Sequence, residues 1–568
     1  MRHRMNSAMQ TAILAMTALV IGAAAGHAEL LGANAKNVQT KNLRVSAASG
    51  PGKSLRIDHT RAQLTIAAWD KNDVEAEAVI EVGDSDPEFI KEFLNGTTMT
   101  IAPEAGSLVL RLTSPMDKQE RGGGGVFRKI AAALRSGRWD ISFAARVTVR
   151  VPVSQNLDVT NAFGNVSLSG VMGTIALRNE SGEVRVNGCG GELRLDNSFG
   201  LAAVADFKGP VDIHDESGEV RAERISGRVG IRNSFNLVRF SEIGGPLDVV
   251  SESAAVAGSG VGGDCVIKSS FNPIDVRGVA GRLEISGESA AVTVDDARND
   301  VVITSSFNPV RVTNVKGGLR VTSQSAAVTA QGIDGDAWIK SSFQTIMVGR
   351  VKGRLTVDGE SSAVSVNGVD GDAVIKSSFK DVTVSGVGGA LEITAQSARV
   401  AAADVKKDAA ITTSFNGVEA RRIGGGLKVK GESSSVLAED VGGAIDVRNS
   451  FKNVVVRRSS GSIMIQAESG AVEIGEIRAL SPGSVIEVKN SFNPITLTLP
   501  AGTEIQGTAR TEFGTIRCDF PVILKGAGGS EEKSVTFETG KPGVTLKLEG
   551  SADITIRKSG SDKIKSLI

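Results

Sequence analysis

Tyrosine is absent from this 568-residue chain, and histidine occurs four times, tryptophan and cysteine three times each. Each shortage excludes something. With no Tyr and with Trp only at 69, 139 and 338, the usual platforms for base stacking and for binding hot spots are depleted. Cys189, Cys265 and Cys518 are odd in number and widely separated, so neither a disulfide framework nor a Cys-type metal spacing is present. Beyond residue 28 the only histidines are His59 and His214. His214 is a lone imidazole with no catalytic partner nearby in sequence, and a surface position is expected for it. One-sided charge is lacking too. The 64 basic and 64 acidic residues cancel, leaving no global field to recruit nucleic acid or an anionic membrane. No cofactor or metal is implied.

Long apolar runs are confined to the N-terminus. Arg2 and Arg4, the apolar stretch Ala12 to Ala25, and the small residues around Gly26-His27-Ala28 read as a secretory signal peptide over 1–28. The run is short for a retained spanning anchor, and no later segment suffices for a transmembrane helix. The chain is therefore expected to be exported to the periplasm, the cell surface or the medium.

What the sequence has in abundance is repetition. Phe163, Phe199, Phe235, Phe271, Phe307, Phe343, Phe379, Phe415 and Phe451 recur every 36 residues. Midway between them, in the same column of an 18-residue half-repeat, stand Ser181, Ser217, Ser253, Ser289, Ser325, Ser361, Ser397, Ser433 and Ser469. A fixed period marks a repeat architecture whose units bury their apolar faces against their neighbours. From Leu157 to Leu480 the chain aligns as 18 units of 18 residues. Positions 1 and 3 are apolar (Cys265, Ile267; Leu283, Ile285), as are positions 10 and 12 (Ile274, Val276; Val292, Val294). Such alternation signals strands. A third short apolar side falls at position 15, as at Val279, Val351 and Val369, and position 17 is Gly in 15 of 18 units, a corner needing positive φ or close backbone approach. The expected fold is all-β: a single-stranded parallel β-helix, or solenoid, with 18 residues per turn. The general preference of parallel crossovers makes right-handed coiling the expectation.

Position 7 shares the parity of positions 1 and 3, so the phenylalanines are expected to point inward. Large rings over small serines would then form a structural core ladder, a reading preferred to an exposed aromatic track for a ligand. Position 18 alternates Asp264, Arg282, Asp300 and Asp336, Arg354, Asp372, opposite charges expected to satisfy one another on adjacent turns. Position 6 carries Glu180, Glu216, Glu252, Glu288, Glu360, Glu432 and Glu468. Position 4 of the intervening turns carries Arg232, Lys268, Lys340, Lys376 and Arg448. These columns read as a surface charge lattice holding the turns in register, or alternatively as a binding stripe.

Residues 29–156 read as an irregular N-terminal β region with two insertions and a cap, 157–480 as the regular solenoid, and 481–568 as irregular closing rungs. Leu55 to Ile57, Leu64 to Ile66, Leu108 to Leu110 and Val147 to Val151 are candidate strands, and Asp86-Pro87 through Gly96 has the cap, first-turn proline and stop of a short helix. The second insertion, 118–139, holds Gly122 to Gly125 and a basic amphipathic stretch, and is expected to act as a flexible arm or an end cap.

The run Val147-Thr-Val-Arg-Val-Pro152, Leu157-Asp-Val159, Gly164-Asn-Val-Ser-Leu168 and Gly170-Val-Met-Gly173 resembles the opening of a bacterial family of β-strand-repeat domains that carries an adhesin label and is otherwise of unknown function. The resemblance spans the chain from about Leu55 onward and implies a solenoid and export. Bactofilins, which polymerise end to end, have turns of similar size, but they are cytoplasmic and lack a signal peptide.

Two functions from different classes follow. The first is a non-catalytic exported scaffold or adhesin-like binding protein of the cell envelope, presenting a rigid face to a polysaccharide or protein partner; homotypic assembly is a variant of it. The second is a polysaccharide-acting β-helix enzyme, a lyase or hydrolase, which requires a base or a carboxylate pair converging in a cleft. Carboxylates here recur as columns, and no unit departs from the pattern to assemble such a site. The scaffold is the expectation.

Overall fold

A strand pair with one apolar face cannot survive alone, and the repeats resolve this by stacking as coils of a parallel β-solenoid, about 18 residues to the turn. The computed structural model describes residues 31, 37–50, 53–117, 142–478, 480–521, 533–538 and 543–560. The signal segment 1–28 and the basic insertion 118–139 lie outside the described residues.

The coil anatomy is uniform. Leu283–Gly287 and Val292–Ala297 are the two strands of one turn. Leu283 sits in register between Cys265 and Val301, and Val292 between Ile274 and Val310. Cys265, Ile267, Ile274 and Val276 are fully buried, as the alternation predicts, and Val279, Val351 and Val369 at position 15 close the third side. Each such side chain contributes roughly 1.5–3 kcal/mol of burial. Cys265 is simply one of these apolar positions, and burial pushes its thiol up to about 12. All three cysteines are free.

At the position-17 glycine, of the two expected reasons, positive φ and close backbone approach, the second holds in most turns. Left-handed backbone belongs to position 14 throughout, and at position 17 it recurs at Gly191 and Gly209 of the first unit. Gly260, Gly278, Asp296, Asn314, Gly332 and Arg350 all have positive φ, and every regular turn repeats this. The glycine at 17 answers to close approach. A Cβ on Gly281 would lie 2.4 Å from the carbonyl carbon of Gly263 and 2.5 Å from Asp264 Oδ1. That space is needed by the aspartate of position 18, whose Oδ1 accepts the backbone N–H one coil further on: Asp264 from Arg282 at 2.9 Å, Asp336 from Arg354 at 2.8 Å, Asp372 from Ala390 at 2.8 Å. The expected Asp–Arg pairing within column 18 is thus corrected. The carboxylates cap peptide groups, and Arg282 approaches Glu284 at 3.9 Å.

Two compact units make up the chain, residues 1–227 and 228–568. In the first, four regular coils begin at Leu157, Ile175, Leu193 and Val211. Ahead of them the stacking leaves sequence order. Ser54–Thr60 pairs in parallel with both Ser107–Thr113 and Asn156–Phe163, and Gln63–Trp69 with both Ser142–Pro152 and Val166–Ser169. An early coil is thus wedged between two later ones. Antiparallel strands Gln39–Ala48 and Asp73–Gly83 extend this end, and helix α1 (Pro87–Gly96) forms as predicted. Asp86 caps its N-terminus, and Phe93 lies 5.5 Å from Phe143. A change to antiparallel pairing presents a different edge from the one that parallel coils would extend.

In the second unit fourteen regular coils run from Val229 to the turn that begins at Ile463. The closing rungs are strands, as predicted, but they swap order. Val544–Gly550 lies between Val485–Asn490 and Ile505–Thr511, and Ile554–Lys558 between Ile495–Leu499 and Ile516–Cys518. Lys533–Glu538 pairs antiparallel with Ile505–Thr511. Among the described residues no helix is long and apolar enough to cross a membrane.

Candidate interaction surface

The column expected to fill the core faces solvent. Phe163, Phe199, Phe235, Phe271, Phe307, Phe343, Phe379, Phe415 and Phe451 are all 52% to 64% exposed, which overturns the core-ladder reading. Parity holds only while the strand is straight, and here the chain bends after position 5, even where strand pairing carries on to position 7 as in Asn156–Phe163 and Leu193–Phe199. That position is the true inward column: Asn161, Asn179, Asn197, Asp215, Asn233, Ser251, Ser269, Ser305, Ser323, Ser341 and Ser377 are buried. Its side chains fasten the bend. Asn233 Nδ2 donates to Asn236 O at 2.9 Å, Ser251 Oγ accepts from Ala254 N at 2.7 Å, and Ser341 Oγ donates to Ala326 O at 2.6 Å. Closing the chain from position 5 onto position 8 pushes positions 6 and 7 outward. Large-over-small packing does occur inside, but at position 12, where a Cβ on Gly258 would lie 2.5 Å from the ring of buried Phe240.

In the second unit the result is a row of rings on one corner, one every two coils, hence about 9.6 Å apart. Half-buried serines form the floor between them: Ser253, Ser289, Ser325, Ser361, Ser397, Ser433 and Ser469. The corner is stiff. Ser289 N donates to Ser270 O at 2.6 Å, Phe343 N to Glu360 O at 2.9 Å and Phe451 N to Glu432 O at 3.0 Å. Asn416 Nδ2, at position 8, donates to Ser397 O at 2.5 Å, and Asn272 and Asn308 reach Ser253 O and Ser289 O in the same way. Phe343 sits at φ +64°, a conformation costing a bulky residue roughly 1–2 kcal/mol, while its exposed ring returns little burial.

The row continues where the coils swap order. Asn490 aligns with Ala467 of position 5, placing Phe492 in column 7. Asn490 also aligns with Gly550, and Gly550 with Thr511, placing Ala552 and then Phe513 in the same column. Phe492 is 72% and Phe513 76% exposed. The spatial order is therefore ring, small residue, ring, although Ala552 follows both phenylalanines in sequence. Sequence reasoning missed this, because the pairing that sets it is non-local. The matching strings Asn490-Ser-Phe492 and Thr511-Glu-Phe513 were its only trace.

In the first unit Phe163 and Phe199 flank Ser181 on the same corner, and the guanidinium of Arg61 stands 5.9 Å from the Phe163 centroid. Here the inward column is a side-chain ladder. Asn161 Nδ2 donates to Asn179 Oδ1 at 3.0 Å, Asn179 Nδ2 to Asn197 Oδ1 at 3.0 Å, and Asn197 Nδ2 to Asp215 Oδ2 at 2.6 Å. Burial pushes the Asp215 carboxyl up, against the hydrogen bonds from Asn197, Gly218 and Ser217. His214 beside it is on the surface, its Nδ1 3.8 Å from Asp196.

The charged columns flank the rings. Glu216, Glu252, Glu288, Glu360, Glu432, Lys268, Lys340 and Lys376 are all exposed, but the expected lattice between positions 4 and 6 does not form. Lys340 pairs with Asp358 at 3.5 Å, and among the described residues no ion pair joins a position-6 glutamate of the second unit to a position-4 cation. The charge ladder lies at position 14 instead. Arg422 grips Asp404 at 2.5 Å, and Arg458 reaches Asp440 at 3.1 Å and Glu476 at 3.0 Å as well as Glu439. Hydrogen bonds from these arginines hold the Asp404 and Asp440 carboxyls below the usual carboxylate range.

No family model, curated protein or solved structure matches the chain.

Proposed function

We propose that this chain is a non-catalytic scaffold of the bacterial cell envelope, exported to the periplasm, the surface or the medium, that offers one solenoid corner to a macromolecular partner. The column of exposed phenylalanines carries the reading. Nine rings in the second unit together leave on the order of 1,000 Å² of aromatic surface to solvent along one corner, and exposed apolar surface concentrated in this way marks an interaction site. The rings contribute little to the coil, and the hydrogen-bonded bend beneath them is preorganised, which lowers the ordering cost of association. The signal-like N-terminus and the resemblance to the adhesin-labelled repeat family support an envelope location.

The test is to incubate the purified chain with cell walls, with envelope polysaccharides and by itself at rising concentration. At least one saturable association should weaken in the F307S/F343S/F379S variant, and charge reversal at Glu288 and Glu360 should shift it. Associations that ignore the corner, or polysaccharide turnover abolished by a single substitution, would overturn the reading.

A further inference from the structure

Aromatic rings engage each other at centroid separations of 4.5–7 Å. Rings two coils apart are about 9.6 Å from one another, too far to touch, and among the described residues the ring pairs are Phe89–Phe93 and Phe93–Phe143, neither on this corner. Each gap is floored by Ser or Ala. A ring placed over that floor would lie about 4.8 Å from the ring on either side. The corner of the second unit is therefore half of an aromatic ladder, with its vacant rungs spaced for rings of the same kind.

We propose that the partner of this corner is a second copy of the chain, lying antiparallel, with the rings of each copy seated over the serines of the other. This rests on the reading above and names the partner. A two-fold axis perpendicular to the solenoid, passing midway between a Phe coil and a Ser coil, sets every ring opposite a gap and closes the pair as an isologous dimer. The charges fit that arrangement. In the regular coils of the second unit, position-6 glutamates stand only on Ser coils (Glu252, Glu288, Glu360, Glu432, Glu468), and on Phe coils position 6 is serine: Ser270, Ser306, Ser342, Ser378, Ser414 and Ser450. Among the regular coils the antiparallel offset brings each glutamate level with a Phe coil of the other copy, opposite a serine hydroxyl; Glu512, on the closing Phe513 coil, departs from this pattern and accepts from Ser551 Oγ of its own chain at 3.1 Å. Those Phe coils carry the position-4 cations Arg232, Lys268, Lys340, Lys376 and Arg448, so opposite charges cross the seam. The area is sufficient as well. Ring surface on the order of 1,000 Å² per copy meets the roughly 800 Å² per partner of a stable interface. Preservation of the ring–small–ring order at Phe492, Ala552 and Phe513, through coils out of sequence order, follows if the column must mesh along its length.

Sedimentation equilibrium of the full chain should show a dimer. The F307S/F343S/F379S variant should dissociate with a constant raised on the order of 30-fold or more, at an unchanged far-UV spectrum. The discriminating variant is S325F/S361F. It adds apolar surface but fills two seats, so meshing predicts weaker dimerisation, whereas general hydrophobic stickiness predicts stronger. A parent that is monomeric at every soluble concentration, or a dimer strengthened by S325F/S361F, overturns the inference. If that monomer still binds a polysaccharide through Phe307, Phe343 and Phe379, the inference falls while the scaffold reading stands. If no association depends on those rings, both fall.

Discussion

The corners of one coil are built on opposite principles. At position 14 the backbone takes a left-handed turn, and in several coils opposite charges there are matched along the stack, as Asp404 with Arg422 and Asp440 with Arg458. At positions 17 and 18 a glycine makes room for an aspartate that caps the next coil. Both corners satisfy themselves. In the second unit the corner at positions 6 to 8 satisfies its backbone but leaves its rings and carboxylates unmatched among the described residues: rings without neighbouring rings, and glutamates such as Glu288 and Glu360 without ion-pair partners. A surface with internal partners reports on folding, and a surface without them reports on what the molecule meets.

The largest expected effect lies at the self-satisfied corners. Gly281→Ala forces a methyl into the Gly263 carbonyl and the Asp264 carboxylate, and should cost about 3 kcal/mol or more in urea unfolding. Gly278→Ala, three residues earlier at φ +63°, meets nothing closer than 3.6 Å and should cost only about 1 kcal/mol. Equal losses would erase the distinction drawn between positions 17 and 14.

Asp215 sharpens the contrast inside the coil. Its carboxyl pKa is raised in the folded state by burial, so the penalty is absent below the unfolded value near about 4 and grows as pH rises toward the folded value. Asp215→Asn should extend the ladder of Asn161, Asn179 and Asn197, with Gly218 free to adopt the positive φ of Gly182 and Gly200. It should add roughly 1 kcal/mol at neutral pH and nothing in acid. A stability gain that persists unchanged in acid would show that charge burial is not its source.

Smaller still is the effect of Arg458→Ala, which releases Asp440, Glu439 and Glu476. The folded Asp440 pKa is lowered by Arg458, so this contribution is complete above the ordinary carboxylate range and is lost as pH falls through the depressed value. The unfolding midpoint should drop slightly at neutral pH, and the drop should shrink at about 1 M salt. Insensitivity to both salt and acid would remove the position-14 ladder from the account.

Positions 1, 3, 10, 12 and 15 were legible in the sequence because they lie on straight segments, where a period of two maps directly onto inside and outside. The helix at Pro87–Gly96 was legible from its own cap and stop. Column 7 was not, because parity was carried across a bend. The signs of that bend were present in the small or amide residues at position 5 (Asn233, Ser269, Ser305) and at position 8 (Asn236, Asn272, Ala290), which trade side-chain bonds for straight backbone. Position 14 was hidden by its mixture of Gly, Asp, Asn, Arg and Glu, while the frequent glycine at 17 left positive φ and close backbone approach both open. The swapped coils at Ser54–Thr60 and Val544–Gly550 depend on pairing between distant segments, which no local pattern encodes.

Urea unfolding of the F307S/F343S/F379S variant, at concentrations low enough for the parent to be a single chain, tests the central claim most directly. Three rings that face solvent should leave the free energy of unfolding within about 0.5 kcal/mol of the parent for each substitution. A loss of about 3–5 kcal/mol for each ring, the cost of emptying a buried phenylalanine site, would return these rings to the core and contradict the account.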